Sequence, residues 1–205
     1  PQEVYQVQAN NRDAWDDSWD GNINQNYFGD TCWNDAGGYQ FPLDIPQGAN
    51  ISSAYLSLYV DDHWGDDDEY TASINIEDVD DASVFTGSAN NIYNRNYWTT
   101  AVNWNIPEDG LEGSQWHNSP DITNLVQHVI DRSGWSENNH LGLAIWGESS
   151  GDCAAEGVKD YNDHPDYAPK LHVDWTPSSS GSGTKGIIAT TPGETPFYTN
   201  KSSNP

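Results

Sequence analysis

Alternation of apolar and polar positions dominates this chain, and its clearest stretch is Ile51 to Val60. Ala54, Leu56, Leu58 and Val60 interleave with Tyr55, Ser57 and Tyr59, a period of two that sends one set to a buried face. Tyr70 to Val79 repeats it through Ala72, Ile74 and Ile76. Further strands are predicted at Val4 to Ala9, Tyr39 to Leu43, Thr99 to Trp104, Leu141 to Trp146 and Lys170 to Trp175. Clusters of Asp, Asn, Gly and Pro separate them, as turns between short antiparallel strands require.

One segment switches to helical spacing. Ile122, Leu125, Val126, Val129 and Ile130 fall on one face, which predicts a helix over about 120–132. Ser119 is a candidate cap, Pro120 suits the first turn, Asp121 suits the positive end, and Gly134 is placed to stop it. One amphipathic helix among seven or more strands predicts an all-β fold, a jelly-roll-like antiparallel β-sandwich with the helix at an end or edge. The sandwich is expected over 1–175. Residues 176–185 read as a Ser/Gly linker, and 186–205 as an extended tail. Gly186 to Thr191 is suited to pair with a sheet edge, either of its own sandwich or, with the linker's reach, of a neighbouring subunit. Ile187, Ile188, Phe197 and Tyr198 are the expected subunit contacts.

Composition adds constraints. The chain has 205 residues and only 35% hydrophobic ones, yet 10 Trp and 11 Tyr supply bulk for a core. Asp and Glu number 32 against 7 Lys and Arg, a net charge of -25. Nucleic acid and anionic membrane surfaces are therefore disfavoured as partners. No apolar stretch approaches the roughly 18 residues needed for membrane insertion. The lack of Met and the start at Pro1 suggest an exported product whose signal peptide has been removed. Cys32 and Cys153 would then form one disulfide closing a long loop, the alternative being two buried thiols. Asn50 and Asn200 sit in glycosylation sequons.

The stretch IPQGANISSAYLSLYVDD resembles the DNRLRE-like extracellular β-sandwich modules of bacterial and archaeal secreted and surface proteins. VNWNIPEDG, PDITNLVQHVIDRSGWSENNHLGLAIWG and YAPKLHVDW follow in matching order, over about residues 1 to 175. The resemblance implies a jelly-roll-like, non-catalytic module, some of whose relatives are similar to carbohydrate-binding modules. It carries over no catalytic residue, and the acidic insertions here are richer than the family pattern. The tail segment TTPGETPFYTNKSSNP looks like the opening of repeat modules in archaeal surface proteins.

The acid is clustered in three runs, Asp13 to Asp20, Asp61 to Glu69 and Asp152 to Asp166. Such crowding repels itself unless cations offset it, and Ca²⁺ with its oxygen ligands fits best. In the first run Asp16, Ser18, Asp20, Gly21 and Asn22 follow a D-x-[DNS]-x-D-G pattern, with Asn24, Asp30 and Asp35 nearby. The closing Glu of an EF-hand is missing, because Tyr27 stands there. Asp61, Asp66, Asp67 and Asp68 are the candidates in the second run, read as a hairpin loop. Asp152, Glu156, Asp160 and Asp163 are those of the third, which a Cys32–Cys153 bridge would bring against the first.

Other chemistry is sparse. The six histidines show no zinc spacing, and no G-x-S-x-G or similar nucleophile motif occurs, so an enzyme is not expected. Trp15, Trp19, Trp33, Trp64 and Trp98 fall in predicted loops, where Trp19, Trp33 and Trp64 are candidates for stacking on sugar rings. Two functions compete. The first is a Ca²⁺-stabilised structural surface protein that binds copies of itself through the tail and builds filaments. The second is a carbohydrate-binding module of a larger secreted protein, with a polysaccharide partner.

Overall fold

The computed structural model describes residues 1–16, 20–24, 26–29, 35–65, 69–147 and 153–178. Their strands are β1 (Gln2–Gln6), β2 (Asp13–Asp16), β3 (Gly21–Asn22), β4 (Tyr27–Phe28), β5 (Ala36–Pro42), β6 (Asn50–Gly65), β7 (Tyr70–Ile76), β8 (Val102–Ile106) and β9 (Gln115–Asn118). Helix α1 (Thr123–Ile130) follows, then β10 (His140–Gly147), β11 (Ala154–Val158), a 3₁₀ turn at Pro165–Tyr167 and β12 (Lys170–Thr176). Two antiparallel sheets face each other. One runs β1-β12-β6-β11-β4 with β9 also on β6, and the other runs β3-β2-β5-β10-β7-β8.

The alternating residues do what their spacing predicts. Ala54, Leu56, Leu58 and Val60 are buried, and they meet Ala72, Ile74 and Ile76 in one core with Tyr39, Phe41, Leu143 and Ile145. A smaller second core lies on the outer face of the second sheet, where Phe85 and Ile92 cover Ala14, Ala36 and Ala144. The first sheet keeps an open outer face instead. Tyr55 stacks on His172 there at 4.5 Å, and Tyr59 packs against Tyr167 at 4.2 Å.

Several expected boundaries need correction. β6 runs on to Gly65, because β11, absent from the expected elements, pairs with its far end. The register shift between Gly157 and Val158 leaves Asp61 as the bulged residue. Asp61 and Trp64 are thus strand residues, not loop residues. Trp15 likewise lies in β2. The last strand, β12, ends at Thr176.

The helix is shorter than 120–132 and begins at Thr123, with Ile122 as its N-cap and no side-chain cap bond. Ser119 serves the neighbouring strand instead, where its Oγ accepts the Leu56 N–H at 3.0 Å. Thr123 Oγ1 accepts the Ala54 N–H at 2.9 Å, and Gln127 Oε1 the Ile51 N–H at 2.7 Å. Side chains of the helical segment therefore satisfy backbone donors of β6 on the edge away from β12. The apolar face, Leu125, Val126, Val129 and Ile130, is buried as its spacing requires.

Candidate functional site

Asp13 and Asp16 of the first run turn inward. Asp13 is fully buried; its Oδ2 accepts the Tyr161 N–H at 2.9 Å and its Oδ1 has no partner. Burial, reinforced by the nearby Asp160 charge, pushes the Asp13 carboxyl up to about 8. Asn10 Nδ2 donates to Asn162 Oδ1 at 2.8 Å, so the first and third acidic runs do lie together. Asp16 spends both oxygens on backbone, Oδ1 on the Asn90 N–H and Oδ2 on the Ile92 N–H, each at 2.6 Å. Exposed Asp20 accepts the Gly21 N–H, Asn22 accepts the Asn24 N–H, and Asp35 accepts the Trp15 indole N–H at 2.7 Å.

The second and third runs meet through β6 and β11. Asp61 pairs with Lys159 at 2.5 Å. Glu156, opposite His63 in the ladder, is fully buried and 2.9 Å from its Nδ1. Tyr70 donates its hydroxyl to Glu156 Oε1 at 3.4 Å, and the Leu111 N–H reaches Oε2 at 3.2 Å. Desolvation raises the Glu156 pKa, which the His63 contact partly offsets. Glu156 is an interior residue. Asp160 accepts the Asp163 N–H at 2.9 Å and is raised chiefly by burial, while Asp163 stays exposed.

Among the described residues no three His, Cys, Asp or Glu converge in a way that could hold a metal ion. Ser18, Asp30, Asp66, Asp67, Asp68 and Asp152 lie outside the described residues, as do Trp19, Trp33, Asn200 and the tail's Ile187, Ile188, Phe197 and Tyr198. Cys153 is disulfide-bonded, and Cys32 is outside the described set. Asn50 is exposed at the first position of β6.

What the strands do assemble is a groove. Trp64 is 57% exposed although it sits in a paired strand. On one side it walls a cavity of about 370 Å³ with Trp15, Tyr27, Asp35, Cys153 and Ala155. On the other it walls a polar cavity of about 210 Å³ that includes Asn26, Asp61, Asp160 and Asp163. Tyr27 and Trp64 belong to both, so the two cavities adjoin. Trp15 meets Tyr27 edge-on at 6.2 Å, held there by the bond to Asp35. Asn26, just before β4, is 2% exposed; its Oδ1 accepts the Tyr39 hydroxyl at 3.0 Å while its Nδ2 has no acceptor.

Of the sugar-stacking candidates, Trp64 is placed in this groove. Tyr27 and Asn26 were not expected there. Their only sequence signal is an aromatic-amide cluster, Asn24 to Phe28, between acidic runs.

No protein-family model and no curated protein matches the chain. The DNRLRE-like resemblance is carried by its sequence segments alone. Among solved structures the chain is similar to TmCBM61, solved in complex with β-1,4-galactotriose, at 12% identity over 85% of this chain and 84% of that one. The TM-score is 0.24, at which the likeness carries no weight for fold or ligand.

Proposed function

We propose that this chain is a non-catalytic, extracellular carbohydrate-binding module that receives a polysaccharide along the groove of Trp15, Tyr27 and Trp64. The observation that supports it most is the exposed Trp64 on a hydrogen-bonded strand. A paired backbone holds the indole in position, so little ordering entropy is lost when a flat apolar sugar face stacks on it. Carboxylates and amides at the rim supply acceptors and donors for sugar hydroxyls. Asp13 and Glu156, both raised in pKa by burial, are fully buried, whereas Asp160, also raised, lines the groove.

Affinity electrophoresis through gels cast with neutral and charged polysaccharides tests this reading. Replacing Trp64 by Ala should weaken retention at least about tenfold, the scale of one lost stacking contact of 1.4 kcal/mol or more. The unfolding transition should not move. Unchanged retention of the Ala variant would reject the groove.

One observation favours a second reading, assembly with copies of this chain through residues 186–205. Among the described strands β1 pairs with β12 alone, which leaves its outer edge open, and Val4 on it is 53% exposed. Such an edge accepts a strand from a neighbour, and a tail-to-edge contact propagates without closing. Ca²⁺ at the acidic turns and a Cys32–Cys153 bridge belong to the same proposal, as stiffeners of an exported subunit. Truncation after residue 178 should convert assemblies to monomers in light scattering, and EDTA should lower the melting temperature. A full-length chain that is monomeric with or without Ca²⁺ rejects it.

A further inference from the structure

The polar half of the groove has a charge that ordinary sugar hydroxyls do not require. Asp61, Asp62, Asp160 and Asp163 all line it, against Lys159 as the one cation among its described lining residues. Lys159 is already engaged by Asp61 at 2.5 Å. Three further carboxylates therefore face a space of about 210 Å³ whose remaining walls include the rings of Tyr27 and Trp64. Asn26, nearly wholly buried in the same lining, keeps a donor that no protein acceptor satisfies. A buried donor left unpaired is destabilising.

Resting on the carbohydrate reading above, we infer that this groove selects a glycan bearing protonated amines, a polymer of deacetylated hexosamine. Its ammonium groups meet Asp62, Asp160 and Asp163, and the ring faces of Tyr27 and Trp64 add cation–π attraction. Uronic or sulfated polysaccharides are repelled, both here and by the net charge of -25. A neutral glycan finds the ring stacking but leaves the carboxylates uncompensated in the partly desolvated groove.

Calorimetric titration of the full chain with β-1,4-glucosamine oligomers and with the fully N-acetylated oligomers of equal length tests the inference. The pH is set so that the sugar amine is protonated. The glucosamine oligomer should bind at least about tenfold more tightly, and this margin should shrink at high salt. Asp163→Asn, at an exposed position, should reduce the margin without shifting the melting temperature. Equal or tighter binding of the N-acetylated oligomer, sensitive to Trp64→Ala, overturns the charge selection and leaves the carbohydrate reading standing. A folded chain that binds neither of these oligomers nor any neutral polysaccharide overturns both.

Discussion

Asp16 Oδ2 accepts the backbone N–H of Ile92 at 2.6 Å, and this bond ties a turn 76 residues away onto the outer face of the second sheet. Ile92 and Phe85 then cover Ala14 and Ala36 as the second core. The carboxylate that heads a calcium-like pattern thus acts as a backbone cap. Replacing Asp16 by Ala would strand the N–H groups of Asn90 and Ile92. A loss of about 3 kcal/mol is expected, from two charge-assisted bonds. Urea denaturation measures it, and a loss below about 1 kcal/mol would show the turn to be held by packing alone.

Asp13 makes stability depend on pH in a particular direction. Burial raises its folded pKa from 3.8 to about 8, so the folded state holds the proton more tightly than the unfolded chain. The favourable contribution is complete below the unfolded value and is lost as pH rises toward the folded value. Between those limits the slope approaches about 1.4 kcal/mol per pH unit. Glu77, Glu156 and Asp160 are shifted upward too, each chiefly by burial, and add to the trend. Asp13→Asn should flatten the curve, with the largest gain relative to the parent at mildly alkaline pH. Parallel melting curves for the two proteins across this range would refute the assignment.

The strands built on strict alternation were legible because burial of one face is a local property of sequence. β6, β7 and β10 carry their apolar residues at every second position, and the core uses them so. β2, β3, β4, β9 and β11 were not legible, since each is short and gains its strand character from a partner far along the chain. β11 reads as Ala, Ala, Glu, Gly and Val, which becomes a strand only because β6 extends to meet it. The acidic runs were only partly legible for a related reason. Charge crowding along the sequence does not say which carboxylates the fold buries, and Asp13, Asp16 and Glu156 went inward while Asp61 and Asp163 stayed at the rim. Trp64 was recognisable as an exposed aromatic, whereas Asn26 entered the groove through tertiary placement alone.

Gln127 tests how a helix can stand in for a strand. Its Oε1 accepts the Ile51 N–H at 2.7 Å and its Nε2 donates to the Ala49 carbonyl at 2.9 Å. Leu at this position keeps helix propensity and similar volume while removing both bonds and the exposed one from Nε2 to Asp131 Oδ1. A destabilisation of about 2 kcal/mol is expected, with faster hydrogen exchange at Ile51 and unchanged exchange at Leu58, which pairs with His117 of β9. Uniform acceleration along β6 would mean that the helix side chains do not guard this edge locally.

Gly110 and His63 form the tightest test of the interior. Gly110 has φ of +72°, and a Cβ there would lie 2.1 Å from His63 Nδ1, the atom that faces Glu156. The same turn delivers the Leu111 N–H to Glu156. Gly110→Ala therefore carries two costs, about 1 kcal/mol for the left-handed backbone and a larger one for displacing the imidazole. A total above about 2 kcal/mol is expected from thermal or urea unfolding. His63→Ala opens the space, so in that background the backbone cost should remain and the steric cost disappear. The double-mutant cycle reads the difference directly. Strict additivity of the two substitutions would show that Gly110 is required by its φ and not by the ring beside it.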